Sequence, residues 1–149
     1  MNITRIYTDG SCIDNRYGGW GVVIVNDDNV WCISDSCDNT TNNRMELTAV
    51  IEALTFMNDE NTYEIYTDSQ LTLNCAIGKW KRKANLDLWK QFDNEYKNKK
   101  VIWKWVKAHN GDEYNEMVDK LAYKESKKNL FKLNKLFKIN VGQRRKFIP

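Results

Sequence analysis

The chain has 149 residues, 42% hydrophobic and 29% charged, a composition that supports one globular domain with a core of its own and is not that of a disordered chain. No apolar run approaches the roughly 18–20 residues a membrane span needs, and the N-terminus lacks the basic-then-apolar order of a signal peptide, so no membrane partner is expected and a cytoplasmic or other soluble, reducing compartment is. The net charge of +3 conceals an asymmetry: residues 124–149 carry nine Lys or Arg against one Glu, or +8, leaving residues 1–123 at −5. An acidic body with a basic tail suits a nucleic-acid partner only if the body's carboxylates hold cations.

Ile3 to Thr8 alternates as a strand, with Ile3, Arg5 and Tyr7 on one face and Thr4, Ile6 and Thr8 on the other. Asp9-Gly10-Ser11 is expected to end it, and an Asp before Gly reads equally as a turn residue. Trp20–Val25 and Val30–Ser34 are two further strands joined by Asn26-Asp27-Asp28-Asn29, which is hairpin chemistry, so the first three strands form an antiparallel meander. The loop between them holds neither a Walker nor a dinucleotide motif.

Thr40-Thr41-Asn42-Asn43 then gives way to an amphipathic helix whose apolar stripe is Met45, Ala49, Val50, Ala53, Leu54 and Met57. Glu46 lies three residues after Asn43, the spacing of a capping box, and that is its bland reading. Asn58 to Asn61 stop the helix. Tyr63–Thr67 is a strand ending in Asp68-Ser69-Gln70, and Leu71–Ile77 reads as helical, so a parallel crossover is expected with ligands at the carboxyl ends of its strands.

Lys79 to Lys83 surround Trp80, a pattern shared by solvated loops and by phosphate-gripping surfaces. Asn85 is placed to cap a helix from Leu86 to Tyr96, with Leu88, Trp89, Phe92 and Tyr96 inward. Val101–Lys107 is the last strand, with Val101, Trp103 and Trp105 on one face. His109 sits in a polar loop before a final helix starting near Asn115, where Val118, Leu121 and Ala122 turn inward. Asp119 falls near its first turn, where the macrodipole alone accounts for a negative charge. Beyond Lys128 an amphipathic pattern with interleaved lysines continues, and residues 142–149 are expected to be mobile.

The four cysteines, Cys12, Cys32, Cys37 and Cys75, contain no C-x-x-C pair and there is one histidine, which argues against zinc and for free thiols. Three are expected to pack in strands or helices, while Cys12, after a turn, is placed to touch a ligand. Asp9, Glu46, Asp68 and Asp119 come from two strand ends and two helix starts, which can meet at one sheet edge. Four clustered carboxylates need cations, and hard oxygen ligands select Mg²⁺ or Mn²⁺.

These blocks together, Thr8 to Cys12, Thr40 to Leu47, Thr67 to Gln70, Asn85 to Trp89 and Trp105 to His109 through Asn115-Glu116 to Asp119, resemble the type 1 ribonuclease H family in order and across the chain to about residue 125. The resemblance implies an α/β ribonuclease H-like fold: a five-stranded mixed sheet, three antiparallel strands and then two parallel ones, flanked by helices. It implies a catalytic domain over residues 1–128 and a basic extension, partly helical or mobile, over 129–149. It also implies a metal-dependent endonuclease that cuts the RNA strand of RNA–DNA hybrids, acting as a monomer.

The family's metal-binding carboxylates fall on Asp9, Glu46, Asp68 and Asp119, for two Mg²⁺ ions or Mn²⁺, with Asp9 bridging. Its mobile-loop histidine falls on His109, and imidazole suits proton transfer near neutral pH. The 2′-hydroxyl readers fall on Cys12, Asn15, Asn43 and Gln70, with Glu46 also accepting. Thr41 and Arg44 would position a DNA phosphate, helped by Asn42. The long basic protrusion of many members has no room between Leu71 and Leu86, and no N-terminal hybrid-binding domain is expected. The tail, through Lys127, Lys128, Lys132, Lys135, Lys138, Arg144, Arg145 and Lys146, is expected to substitute for it. A non-catalytic nucleic-acid-binding or integrase-like member of the same superfamily is the alternative; the first would need a lost carboxylate and the second would lack the Asn-Asn-Arg-Met-Glu block.

Overall fold

The computed structural model describes the backbone of residues 3–147 and side chains through Lys132; of the end expected to be mobile, residues 142–147 continue the last helix and 148–149 lie outside the described residues, as do the side chains beyond Lys132. The elements are β1 (Thr4–Ile13), β2 (Tyr17–Asn26), β3 (Asn29–Cys37), α1 (Asn42–Thr55), β4 (Thr62–Thr67), α2 (Gln70–Ala76), α3 (Leu86–Tyr96), β5 (Lys100–Trp105) and α4 (Glu113–Phe147). The strands form one sheet in the order β3-β2-β1-β4-β5, antiparallel among β1, β2 and β3 and parallel among β1, β4 and β5. This is the expected five-stranded mixed sheet.

Both faces of the sheet are covered, and the alternation of β1 distributes its side chains between them. Ile6, Val22 and Ile65 pack on one face with the α1 stripe and with Leu88, Trp89 and Phe92 of α3. Tyr7, Val23 and Val25 pack on the other with Val118 of α4. Polar ties fix α4 to the sheet edge: Ser34 Oγ donates to Glu125 Oε1 at 3.1 Å and Asn129 Nδ2 donates to the Cys37 carbonyl at 3.0 Å. Two glycines set how close the helices come. A Cβ on Gly10 would strike the backbone of Met45 and Glu46 in α1, and one on Gly19 would strike the Ala122 carbonyl in α4.

Several local expectations change. β1 does not end at Asp9-Gly10-Ser11; Asp9 pairs with Gly21 and Gly10 with Trp20, and the chain turns at Asp14 and Asn15, both in the left-handed region with φ 57° and 48°. The N-cap of α1 is Thr41, whose side chain accepts from the Arg44 N–H, so Glu46 lies two residues beyond a capping-box position. Asn85 is left-handed and makes no side-chain cap; its Oδ1 accepts instead from Arg44 Nη1 at 3.2 Å. α4 begins at Glu113, with Asp112 Oδ1 accepting the Asn115 N–H at 2.9 Å. Trp105 is exposed at the end of β5 while Val101 and Trp103 pack against the core. Of the cysteines only Cys75 is buried: Cys32 and Cys37 are exposed on the edge strand β3 and Cys12 lies within β1. All four are free.

Candidate active site

Parallel pairing of β1 with β4 sets the site. Thr8 pairs with Thr67, so the residues that follow, Asp9 within β1 and Asp68 just past the end of β4, stand side by side. Asp9 is 3% exposed, and its Oδ1 accepts the Gly10 N–H at 2.9 Å. Glu46 arrives from the first turns of α1, which can lie against β1 only because residue 10 has no side chain. One carboxylate oxygen from each of Asp9, Glu46 and Asp68 lies within 4.8 Å of the others.

Three carboxylates in a poorly hydrated corner raise one another's proton affinity. Burial, together with the charges of Asp68 and Asp119 and against a hydrogen bond from Glu46, pushes Asp9 up to about 8. Burial and the neighbouring Asp9 carboxylate raise Glu46 well above its ordinary range, and burial likewise raises Asp68. Glu46 Oε2 is buried with no hydrogen-bond partner. Three carboxylates this close, one of them with a buried unpartnered oxygen and none joined by a sulfur or imidazole donor, fit a small divalent cation that prefers oxygen. Such an ion would also remove the repulsion that drives these shifts.

Asp119 approaches from α4 and interacts with Asp9, but stands outside the close set of three. It lies six residues past the first residue of α4, too deep for the macrodipole to account for it. His109 closes this side: its Nδ1 is 3.8 Å from Asp119 Oδ2, its side chain is 77% exposed and its backbone is left-handed, φ 54°.

The remaining candidates ring this cluster unevenly. Cys12 Sγ donates to the Thr40 carbonyl at 3.3 Å, Thr41 caps α1, and Asn43 and Gln70 are exposed at the first turns of α1 and α2. Asn15 is exposed at the β1–β2 turn. Arg44 is committed to its own protein, binding Asp87 through two hydrogen bonds of 2.8 and 3.0 Å. Two residues escape a reading of the sequence. Gly10 reads as a turn residue, and Trp105, whose Nε1 donates to the Asp68 carbonyl at 3.3 Å, reads only as a strand residue on a face with Val101 and Trp103. The signal for Trp105 was its place at the end of the strand beside Asp68.

The RNase H family model matches residues 1–127. Ribonuclease H of Ehrlichia ruminantium is 43% identical, with 82% of this chain and 93% of the relative aligned; that of Wolbachia pipientis is 42% identical over 80% and 92%. Among solved structures, LC11-RNase H1 in complex with an RNA/DNA hybrid is 24% identical at a TM-score of 0.73, covering 85% of this chain and 99% of that one. The N-terminal RNase H domain of a Mycobacterium tuberculosis protein is 21% identical at a TM-score of 0.76, covering 87% and 97%. At those identities the structures speak for the fold alone; the family model spans residues 1–127 and the sequence relatives are 42–43% identical over four fifths of the chain, so the chain belongs to the ribonuclease H family.

Proposed function

We propose that the chain is an endoribonuclease that hydrolyses the RNA strand of RNA–DNA hybrids with divalent cations, Mg²⁺ or Mn²⁺, held by Asp9, Glu46, Asp68 and Asp119. The observation that carries this reading is the convergence of three carboxylates, one with an orphaned buried oxygen, on the middle of β1 beside the carboxyl end of β4 in a chain of this family. Bound there, two such ions supply an activated water and charge neutralisation at the scissile phosphate, leaving 5′-phosphate and 3′-hydroxyl ends.

The protein's own groups supply position. Asp9, on the central strand close to both Glu46 and Asp68, would hold the ions together with them, and Asp119 would add a carboxylate from α4. His109, exposed and beside Asp119, is placed to move a proton or ease product departure. Cys12, Asn15, Asn43 and Gln70 would read 2′-hydroxyls and Thr41 a DNA-strand phosphate. Arg44 would act mainly through its hold on Asn85 and Asp87.

Four free thiols suit a reducing compartment, and no helix among the described residues is long and apolar enough to cross a membrane. We read the protein as a monomer.

The test compares cleavage of a hybrid, a duplex DNA and a duplex RNA in Mg²⁺ by the native chain and by Asp9→Asn. Hybrid-selective cleavage abolished in the variant is expected; equal activity of the variant, or no preference for the hybrid, overturns the reading.

A further inference from the structure

Beyond Asp119, α4 presents a solvent face unlike the rest of the acidic body. Lys120, Tyr123, Lys124, Lys127, Lys128 and Phe131 line one shallow groove of about 390 Å³. Their spacing by three and four residues puts them on a single stripe of the helix. The opposite stripe, with Val118 and Ala122, is the one buried against the sheet.

None of the four lysines forms an ion pair among the described residues. Glu125, the one acid between Lys120 and Phe131, is turned to the sheet, where it accepts from Ser34. Two large rings are left open between the lysines, Tyr123 at 51% and Phe131 at 62% exposed, and Lys127 Nζ stands 5.7 Å over the Tyr123 ring. Rings of this kind hold lysine stems upright along apolar surface. The sequence continues the charge, with six more Lys or Arg between 132 and 146 and no acid after Glu125.

We infer that the outer face of α4 is a second nucleic-acid contact, a site for the phosphate backbone of the substrate where it extends past the carboxylates. Charge complementarity selects the occupant: uncompensated lysines in a row, on a body otherwise negative, match a regular polyanion. Distance is consistent with it. Asp119 and Phe131 are twelve residues apart on one helix, about 18 Å, so a duplex longer than the cleavage site has phosphates within reach. Lysines read phosphate and no sequence, so the face should bind hybrid and duplex DNA alike.

This rests on the reading of the protein as a hybrid nuclease, and the experiment separates the two. Lys120→Gln, Lys124→Gln, Lys127→Gln and Lys128→Gln are combined in the full chain, with Tyr123→Ala and Phe131→Ala as a second variant. Affinity for a long hybrid and for a long duplex DNA is measured by fluorescence anisotropy in EDTA across a salt series, beside cleavage of a short hybrid in Mg²⁺.

The lysine variant should bind both long duplexes about tenfold more weakly at low salt, with a salt slope reduced by up to about 3–4. The ring variant should fall part of the way, and both should keep the native chain's short-hybrid turnover. Unchanged affinity and slope in the lysine variant overturn the inference, as does a lysine-dependent dimer, seen by sedimentation, with nucleic-acid binding unaltered. Loss of duplex DNA binding in a protein that never cleaves the hybrid would sustain the second contact and defeat the nuclease reading instead.

Discussion

Gly10 and the backbone of Glu46 occupy space that no other residue at position 10 would leave open. A Cβ there would meet the Glu46 nitrogen and the Met45 carbonyl carbon, main-chain atoms that cannot swing aside. The glycine is therefore what lets α1 bring a carboxylate down onto β1. Gly10→Ala should lower stability by about 1–3 kcal/mol, the range for overpacking. Because displacement near 1 Å is costly at a reacting centre, turnover should fall roughly a hundredfold. Thermal melts and steady-state hybrid cleavage read the two effects, and a Gly10→Ala protein with native turnover would show that α1 has slack.

Trp105 holds the main chain of Asp68 from the neighbouring strand. Trp105→Phe keeps an aromatic ring while removing the N–H donor together with the rest of the indole. Since the bond is exposed, its loss should cost no more than about 1 kcal/mol of stability, yet we expect turnover to fall about tenfold with KM nearly unchanged, as fits a positioning residue. A fall in KM-limited affinity with turnover intact would place Trp105 in substrate binding instead.

What the sequence made legible follows from what is local. The strands, the α1 stripe and the parallel crossover are periodic patterns, and they placed Asp9 and Asp68 at one sheet edge. What it hid depends on contacts between distant segments. Asp9-Gly10-Ser11 has turn propensity, but pairing with β2 and the need for a bare position under α1 keep it in a strand. Glu46 matched a capping spacing that Thr41 fills two residues earlier, which leaves the carboxylate free to face the aspartates. Asn85 looked like a cap because its type suits one; only the fold shows Arg44 taking its side-chain oxygen.

His109 sits in a left-handed backbone conformation, so alanine there confounds loss of the ring with strain. Asn tolerates that region, and His109→Asn removes the imidazole alone. With its side chain largely exposed, stability should move by less than about 0.5 kcal/mol, while turnover falls between about tenfold and a hundredfold. Native turnover in His109→Asn would remove the histidine from the chemistry.

Asp87 is held down to about 2 by the Arg44 guanidinium, through two hydrogen bonds. A depressed carboxyl contributes stability above its ordinary value, near 3.8, and loses that contribution as pH falls through 2. Carboxyl chemical shifts followed by NMR should show Asp87 titrating late, and Arg44→Ala should return it to the usual range. Because Asp87 is exposed, we expect the effect in the titration far more than in the melting temperature.

The clustered carboxylates behave in the opposite sense. Asp9, raised to about 8 from an ordinary 3.8, binds its proton more tightly in the folded chain than in the unfolded one. That contribution is fully present below about pH 4 and is lost as pH rises through 8, so in EDTA the protein should become less stable between about pH 5 and pH 8. Glu46 and Asp68, raised by the same burial, act in the same direction. Asp9→Asn should remove much of this slope and stabilise the metal-free chain near pH 8 by about 1–2 kcal/mol, while abolishing cleavage. Saturating Mg²⁺ should flatten the slope in the native protein and raise its melting temperature most at the alkaline end, where the site carries most charge. Melts across pH with and without Mg²⁺ check this, and a metal-free stability that rises from pH 5 to pH 8 would show that the three carboxylates are not crowded as the fold places them.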